Sequence, residues 1–216
     1  MSGVITSLKL QARNTNRVNI FLDQEYSFSL AKILAAGLKI GQFLTDEYIS
    51  ELKVQDAEEE AYQRALRMIA RRPHAERELR RKLDRRQIDE QALDSVIQRL
   101  KEHGWLDDHA FAAAWVENRR VFRPRSARAL RSELHGKGVS REAVEASLEG
   151  FDESAAAYDA GVKAARRWRN VDRDVFYQRV EGYLARRGFS YATRSPILDR
   201  LWREIKGADD ESEEFQ

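Results

Sequence analysis

The apolar residues of the first fifty positions follow the pattern of short strands. Residues 4–10 and 18–22 are apolar and β-branched, a polar turn at 13–17 separates them, and a second turn at 23–25 leads into residues 26–28. This spacing predicts a three-stranded β-meander. Because three strands are only marginally stable alone, we expect the sheet to dock on the rest of the chain.

The chain should become helical after these strands. Ser29 is placed to cap a short helix that ends at Ala36, and Thr45 to cap another over 46–52. From about residue 55 onward the apolar spacing is helical and the prolines are the main interruptions. The pattern therefore predicts an N-terminal β-rich extension over 1–52, followed by a mainly α-helical protein.

An internal repeat with a period of about fifty residues runs through the helical part. Three sets of apolar residues share a spacing of four and then five positions: Leu79, Leu83 and Ile88; Leu130, Leu134 and Val139; Val180, Leu184 and Phe189. Each set is followed at once by a residue type that caps helices: Asp89, Ser140 and Ser190. We therefore predict three tandem trihelical, helix-turn-helix-like repeats, at 53–106, 107–151 and 152–206, that form an elongated, curved array.

Charge is distributed unevenly, although the formal net charge is only +2. Windows 71–86, 119–137 and 163–187 carry surpluses of five, six and five positive charges, whereas 207–216 holds five acids and no base. Such an acidic end predicts a disordered tail. Recurrent basic windows favour a polyanionic or acidic partner, although Arg-rich helices can also be solvated faces whose arginines pair with acids such as Glu76 and Glu78.

A helical wheel locates the candidate binding residues. With Leu79 and Leu83 facing the core, Arg77, Arg81 and Arg85 fall on the opposite side of the first middle helix. The second middle helix has a similar outward stripe, and the third is sparse. The candidates for contact with a polyanionic partner are Arg72, Arg77, Arg80, Arg81, Arg85, Arg123, Arg125, Arg128, Arg131 and Lys137.

Signatures of catalysis are lacking. The chain has no cysteine, its four histidines are scattered, and neither a metal-binding His spacing nor a complete phosphate loop is present. The Asp107–Asp108 pair is better explained as the start of a helix than as a metal ligand set. We expect a non-enzymatic protein without cofactor or metal, whose aromatic residues serve mainly for packing. Mean hydropathy of −0.67 and the absence of a signal peptide predict a cytoplasmic location without a membrane span.

Three segments carry a family resemblance. The run Arg72-Pro73-His74-Ala75-Glu76-Arg77-Glu78-Leu79-Arg80-Arg81-Lys82-Leu83 resembles the signature of the RecX regulatory proteins. Residues 104–112 and 123–139 resemble that family's first junction and second repeat. The resemblance covers about 57–206 in order, and the N-terminal strands are similar to an extension of some members. The third repeat departs most, since Asp174 replaces the proline and Gly182 lies within its middle helix.

The resemblance implies a function. Members of the RecX family bind RecA filaments on single-stranded DNA, in the helical groove, and inhibit recombinase, ATPase and co-protease activities in DNA repair and the SOS response. It also implies a RecA partner, contact with the single strand, weak direct binding of DNA and action as a monomer. Two alternatives stay open: a helix-turn-helix regulator that binds DNA with or without sequence specificity, and a helical protein-interaction scaffold.

Overall fold

The computed structural model describes residues 2–84 and 88–213, with side chains as far as Ile205. The chain divides after Asp107 into two compact units. Within the described residues, no helix combines the length and apolar content that a membrane span requires.

A four-stranded antiparallel sheet opens the first unit. Its strands are β1 (Gly3–Leu10), β2 (Arg17–Leu22), β3 (Glu25–Ala31) and β4 (Phe43–Leu44), in the order β3-β2-β1-β4. The three predicted strands are present, and β4 was missed because two residues are too few to show alternation. Asp23 and Gln24 have φ angles of 47° and 77°, as a two-residue hairpin turn requires.

Four helices complete the first unit: α1 (Lys32–Ala35), α2 (Asp46–Ile69), α3 (described over Glu76–Asp84) and α4 (Glu90–Glu102). The prediction that Ser29 caps a helix is wrong, because Ser29 lies within β3 and pairs there with Asn19 of β2. Thr45 does cap a helix, accepting the Tyr48 N–H at 3.2 Å. That helix does not stop at residue 52, because no Gly or Pro interrupts 46–69.

The single helix α2 contributes to two cores. Ile49 and Leu52 in its first half pack with buried residues of the sheet such as Ile20. Its second half packs with Leu79 of α3 and Leu100 of α4 as the first three-helix repeat. The predicted boundary between 52 and 53 therefore falls inside a continuous helix.

The second unit holds the other two repeats. The second repeat consists of α5 (Asp108–Phe122), α6 (Ala127–Lys137) and α7 (Arg141–Ser147). The third consists of α8 (Glu153–Ala165), which continues into a 3-10 turn, α9 (Arg173–Arg186) and α10 (Tyr191–Glu213). A disordered tail was predicted over 207–216. The backbone is helical over 207–213, where the chain has no proline to stop α10, and 214–216 lie outside the described residues.

Eight of the nine predicted repeat anchors are buried in these bundles, and Ile88 packs partly buried against the first core. In the second and third repeats all six anchors are buried, with exposed fractions of at most 4%: Leu130, Leu134, Val139, Val180, Leu184 and Phe189. Asp89, Ser140 and Ser190 accept backbone N–H groups at the starts of α4, α7 and α10, as predicted. The spacing of the apolar anchors and the helix-capping residues thus predicted the three tandem repeats that the structure shows.

Candidate polyanion-binding surfaces

The outward face of α3 carries two exposed arginines. Arg77 and Arg81 lie on the opposite side of the helix from Leu79 and Leu83, whose side chains are fully buried. Neither arginine has an ion pair with another residue that the structure describes. Arg85, the third member of the predicted stripe, lies outside the described residues. The face that Arg77 and Arg81 form is therefore cationic and uncompensated within the described ranges 2–84 and 88–213.

The neighbouring Arg72 and Arg80 are held by acids. Arg72 Nη2 donates to Glu78 Oε1 at 2.5 Å, and this bond, with a further one from Lys82, lowers the pKa of Glu78 to about 2. Arg80 donates to Glu76 at 2.8 Å and to Asp94 at 2.5 Å. Arg72 and Arg80 thus fit the alternative that arginines of a solvated face pair with nearby acids, because both form ion pairs within the first repeat.

His74 anchors the segment that precedes α3. Its buried ring bonds the Arg72 carbonyl through Nδ1 at 2.8 Å and Lys82 Nζ through Nε2 at 3.0 Å. The carbonyl only accepts, so Nδ1 carries the proton and Nε2 accepts from the ammonium group. Burial lowers the pKa of His74, which favours this neutral tautomer.

In the second repeat, Glu133 on α6 receives three donors, two from α5 and one from the segment that precedes α6. Trp115 Nε1 and Arg119 Nε each lie 2.8 Å from Oε2, and Arg125 Nε lies 2.7 Å from Oε1. Burial raises the pKa of Glu133, but the bonds from Arg119 and Trp115 outweigh it and the pKa is lowered. Lys137 Nζ lies 4.0 Å from the centroid of the Trp115 ring. Arg119 and Lys137 therefore connect α5 to α6, and Arg125 ties the segment before α6 to the same glutamate.

The remaining candidates differ in their environment. Arg131 Nε bonds Glu145 at 2.9 Å across the α6–α7 pair. Arg123 and Arg128 are exposed and have no ion pair among the described residues. Of the ten predicted candidates, the structure therefore leaves four exposed and unpaired within its described part: Arg77, Arg81, Arg123 and Arg128.

Sequence reasoning missed Arg187, at the end of α9. Its guanidinium lies 3.9 Å from the Tyr183 ring centroid, and its Nε is buried without a hydrogen-bond partner among the residues that the structure describes. Burial lowers the pKa of Arg187, and the positive charges of Arg125, Arg186 and Arg123 lower it further. We call Arg123, Arg125, Arg186 and Arg187 the junction cluster. The Arg186-Arg187-Gly188 run is visible in the sequence, but its approach to 123–125 depends on tertiary packing.

Ligand chemistry of other kinds has little support in the described residues. They contain no group of three or more His, Asp or Glu side chains that could hold a metal ion. The tryptophans are mostly packed: Trp202 lies 5.2 Å from Phe176 between ring centroids, and Trp115 stacks on Phe111 at 6.1 Å. The sheet and the three tandem bundles together define a helical-repeat protein, and its bundles carry basic faces.

Comparisons with known proteins identify the family. The N-terminal domain of the regulatory protein RecX matches residues 3–45, and the first, second and third RecX three-helix domains match 61–100, 107–148 and 152–193. The four domains occur in order along the chain. The matched ranges cover the sheet and most of the three bundles, and the third range ends just inside α10.

Full-length relatives agree with these matches. The regulatory protein RecX of Bacillus pumilus (strain SAFR-032) is 30% identical over 97% of this chain and 81% of its own length, and that of Clostridium botulinum (strain Alaska E43 / Type E3) is 30% identical over 87% and 91%. A crystal structure of regulatory protein RecX superposes with a TM-score of 0.73 at 25% identity, covering 92% of this chain and all of that one. The RecX structure from Lactobacillus salivarius, at 19% identity and a TM-score of 0.57, shares the fold. The chain belongs to the RecX family of regulatory proteins.

Proposed function

We propose that this protein is a monomeric, cytoplasmic regulator that binds RecA filaments on single-stranded DNA and inhibits recombinase, ATPase and co-protease activities. The observation that carries the proposal is the ordered match to all four RecX domains, from the N-terminal sheet to the third bundle. The protein acts by binding, and no catalytic group takes part.

The exposed arginines supply a physical basis for filament binding. Arg77 and Arg81 on α3 and Arg128 on α6 occupy the middle helices of successive repeats, and each is exposed and unpaired within the described chain. Repeated cationic helices suit a repeating partner that presents acidic protein surface and phosphate together. Several weak contacts, distributed over successive repeats, give a strong overall attachment.

Sequence-specific recognition of duplex DNA is less well supported. The α3 segment ERELRRKLD and the α6 segment ARALRSELHGK contain neither Asn nor Gln, and Ser132 is the only hydroxyl residue of α6. Arg-rich helices without such side chains suit phosphate contact better than readout of bases. A scaffold without a nucleic-acid partner would use the unpaired arginines for acidic protein surface alone.

The test compares two double variants in a RecA ATPase assay on single-stranded DNA. Replacing Arg77 and Arg81 by Ala should weaken inhibition by roughly fivefold or more, because the electrostatic attraction to the filament is reduced. The matched control replaces Arg13 and Arg67, two exposed basic residues of the same unit, and should inhibit as the unchanged protein does. Melting temperatures should stay close together, since surface substitutions alter stability by only about 0.5 kcal/mol each.

Two outcomes would contradict the proposal. A preference of the unchanged protein for random duplex DNA over RecA filaments, at every salt concentration, would support the DNA-binding regulator. Alternatively, inhibition that is identical for both double variants, with the same salt dependence, would show that Arg77 and Arg81 form a solvated face and that the filament contact lies elsewhere.

A further inference from the structure

The junction between the second and third repeats brings two arginine pairs together. The Ser126 N–H, just before α6, donates to the Arg187 carbonyl at the end of α9 at 3.1 Å. Gly188 allows this approach: a Cβ there would lie 2.5 Å from Ser126 Oγ and 3.0 Å from Ala129 Cβ. The Arg123–Arg125 segment is therefore held against the Arg186–Arg187 segment by backbone contact.

Four like charges in one place are unfavourable unless an anion joins them. Among the described residues, Arg123, Arg186 and Arg187 have no ion pair, and Glu133 shares its charge between Arg125 and Arg119. The ion pair of Arg125 with Glu133 uses Nε, which leaves the terminal amino groups of Arg125 for a second acceptor. The cluster thus carries a surplus of positive charge and of hydrogen-bond donors.

Burial distinguishes this cluster from an ordinary basic surface. Arg187 is only partly exposed, its guanidinium rests on Tyr183, and its Nε is buried with no hydrogen-bond partner in the described part of the chain. Burial leaves the charge of Arg187 poorly solvated, so its terminal amino groups gain more from an arriving acceptor than those of a fully exposed arginine do. An exposed guanidinium on a helix face gains less from an acceptor, because its N–H groups already donate to water.

We propose that the junction cluster binds a backbone phosphate of single-stranded nucleic acid, with the guanidinium groups of Arg123, Arg125, Arg186 and Arg187 as its donors. This site would supply the DNA contact of the filament-binding function proposed above, and its biological role rests on that function. It assigns a contact to α9 of the third repeat, where the sequence alone showed only a sparse stripe.

Phosphate on a single strand fits the surroundings better than a protein carboxylate does. Phosphate oxygens accept from several guanidinium forks at once, and clusters of arginine are the usual means of recognising them. Phe122, next to Arg123 in the chain, is 68% exposed. An aromatic surface beside a cationic site is the arrangement on which unpaired bases stack.

The first experiment measures binding of a fluorescent oligothymidylate to the full-length protein at several salt concentrations. Replacing Arg123 and Arg186 by Gln should weaken binding about tenfold at low salt and reduce the salt slope by about 0.7 for each phosphate that the variant no longer neutralises. The matched control replaces Arg166 and Arg169, two other exposed arginines of the same unit, by Gln and should change affinity less than twofold. Circular dichroism establishes that both variants fold.

The second experiment observes Arg187 itself. The Nε–H resonance of Arg187, assigned with the Arg187→Lys variant, should shift when oligothymidylate is added, and the Arg123→Gln/Arg186→Gln variant should reduce that shift. An unchanged resonance, together with equal affinities for the site and control variants, would overturn the proposal. Equally tight, equally cluster-dependent binding of an oligoglutamate of matched charge would assign the cluster to an acidic protein instead.

The RecA ATPase assay separates this proposal from the function it rests on. If the protein fails to inhibit RecA but the cluster variant still binds oligothymidylate more weakly than its control, the phosphate site stands and the filament function fails. If the protein inhibits RecA and the cluster variant matches its control in both binding experiments, the filament function stands and the phosphate site fails.

Discussion

At the scale of single residues, the arginines differ in whether an acidic side chain lies within ion-pair distance. Arg72 and Arg80 find acids on their own bundle, whereas Arg77 and Arg81, on the same short helix as Arg80, find none among the described residues. Position on the helix contributes to this, because the residue four positions before Arg80 is Glu76, whereas Pro73 and Arg77 stand four positions before Arg77 and Arg81. A count of basic residues therefore overstates the binding surface that the sequence encodes.

His74 provides a prediction at this scale. The pKa of His74 is lowered from 6.5, chiefly by burial. At mildly acidic pH, His74 is therefore protonated more fully in the unfolded state than in the folded state. The resulting stability is present above pH 6.5 and is lost as the pH falls through the lowered pKa. His74→Asn, which keeps a donor for the Arg72 carbonyl, should cost about 1–3 kcal/mol at pH 8 and weaken the pH dependence between 8 and 5.

Urea unfolding across that pH range gives the measurement. His103→Asn supplies the matched control, because His103 is exposed and bonds the carbonyl of Arg99 on its own helix. The control should follow the pH dependence of the unchanged protein. An equal slope for His74→Asn would show that the proton uptake lies elsewhere. Glu78, whose pKa is about 2, contributes stability that is lost only below about pH 4.5.

At the scale of helices and strands, local signals were predictable from the sequence and long-range ones were not. Apolar spacing identified anchors such as Leu130 and Val180, and cap residues such as Ser140 marked helix starts, because both depend on nearby residues. The pairing of β4 with β1 and the junction of Ser126 with Arg187 depend on residues far apart in the chain. The buried part of the candidate site was therefore invisible at the sequence level.

Gly188 tests the junction at this scale. Gly188 has a φ of +90°, and a Cβ on it would lie 2.5 Å from Ser126 Oγ. Gly188→Ala should therefore strain the backbone and displace α6, and should lower the free energy of unfolding by about 2–5 kcal/mol. Gly150→Ala is the matched control: φ is +68° with no atom within 4 Å, so only backbone strain of about 1–2 kcal/mol applies. Denaturant midpoints give both values, and equal losses of stability would mean that the close approach at Ser126 is unimportant.

At the scale of the whole molecule, the chain consists of two units with separate cores. Helix α2 ties the N-terminal sheet to the first repeat, and Arg17 on β2 bonds Asp56 on α2 at 2.7 Å. Removal of residues 1–52 would cut α2 and leave Asp56 without this partner, so we expect the loss of the sheet to lower the stability of the first repeat. Repeats two and three share the second unit and contain the whole junction cluster.

The second unit should therefore fold and bind DNA by itself. A fragment of residues 108–216 retains the anchors of both bundles, such as Leu134 and Leu184, and is close to the ~100 residues typical of independent domains. We expect one cooperative unfolding transition in urea and an affinity for oligothymidylate within about threefold of the full chain, which Arg123→Gln/Arg186→Gln should weaken about tenfold at low salt. Inhibition of RecA ATPase should be much weaker, because the fragment lacks Arg77 and Arg81 and multivalent attachment falls steeply when one set of binding residues is removed.

Two results for a folded fragment would contradict this prediction. Inhibition as strong as that of the full chain would show that the first repeat is dispensable. A lack of affinity for DNA would show that the nucleic-acid contact lies in the first unit.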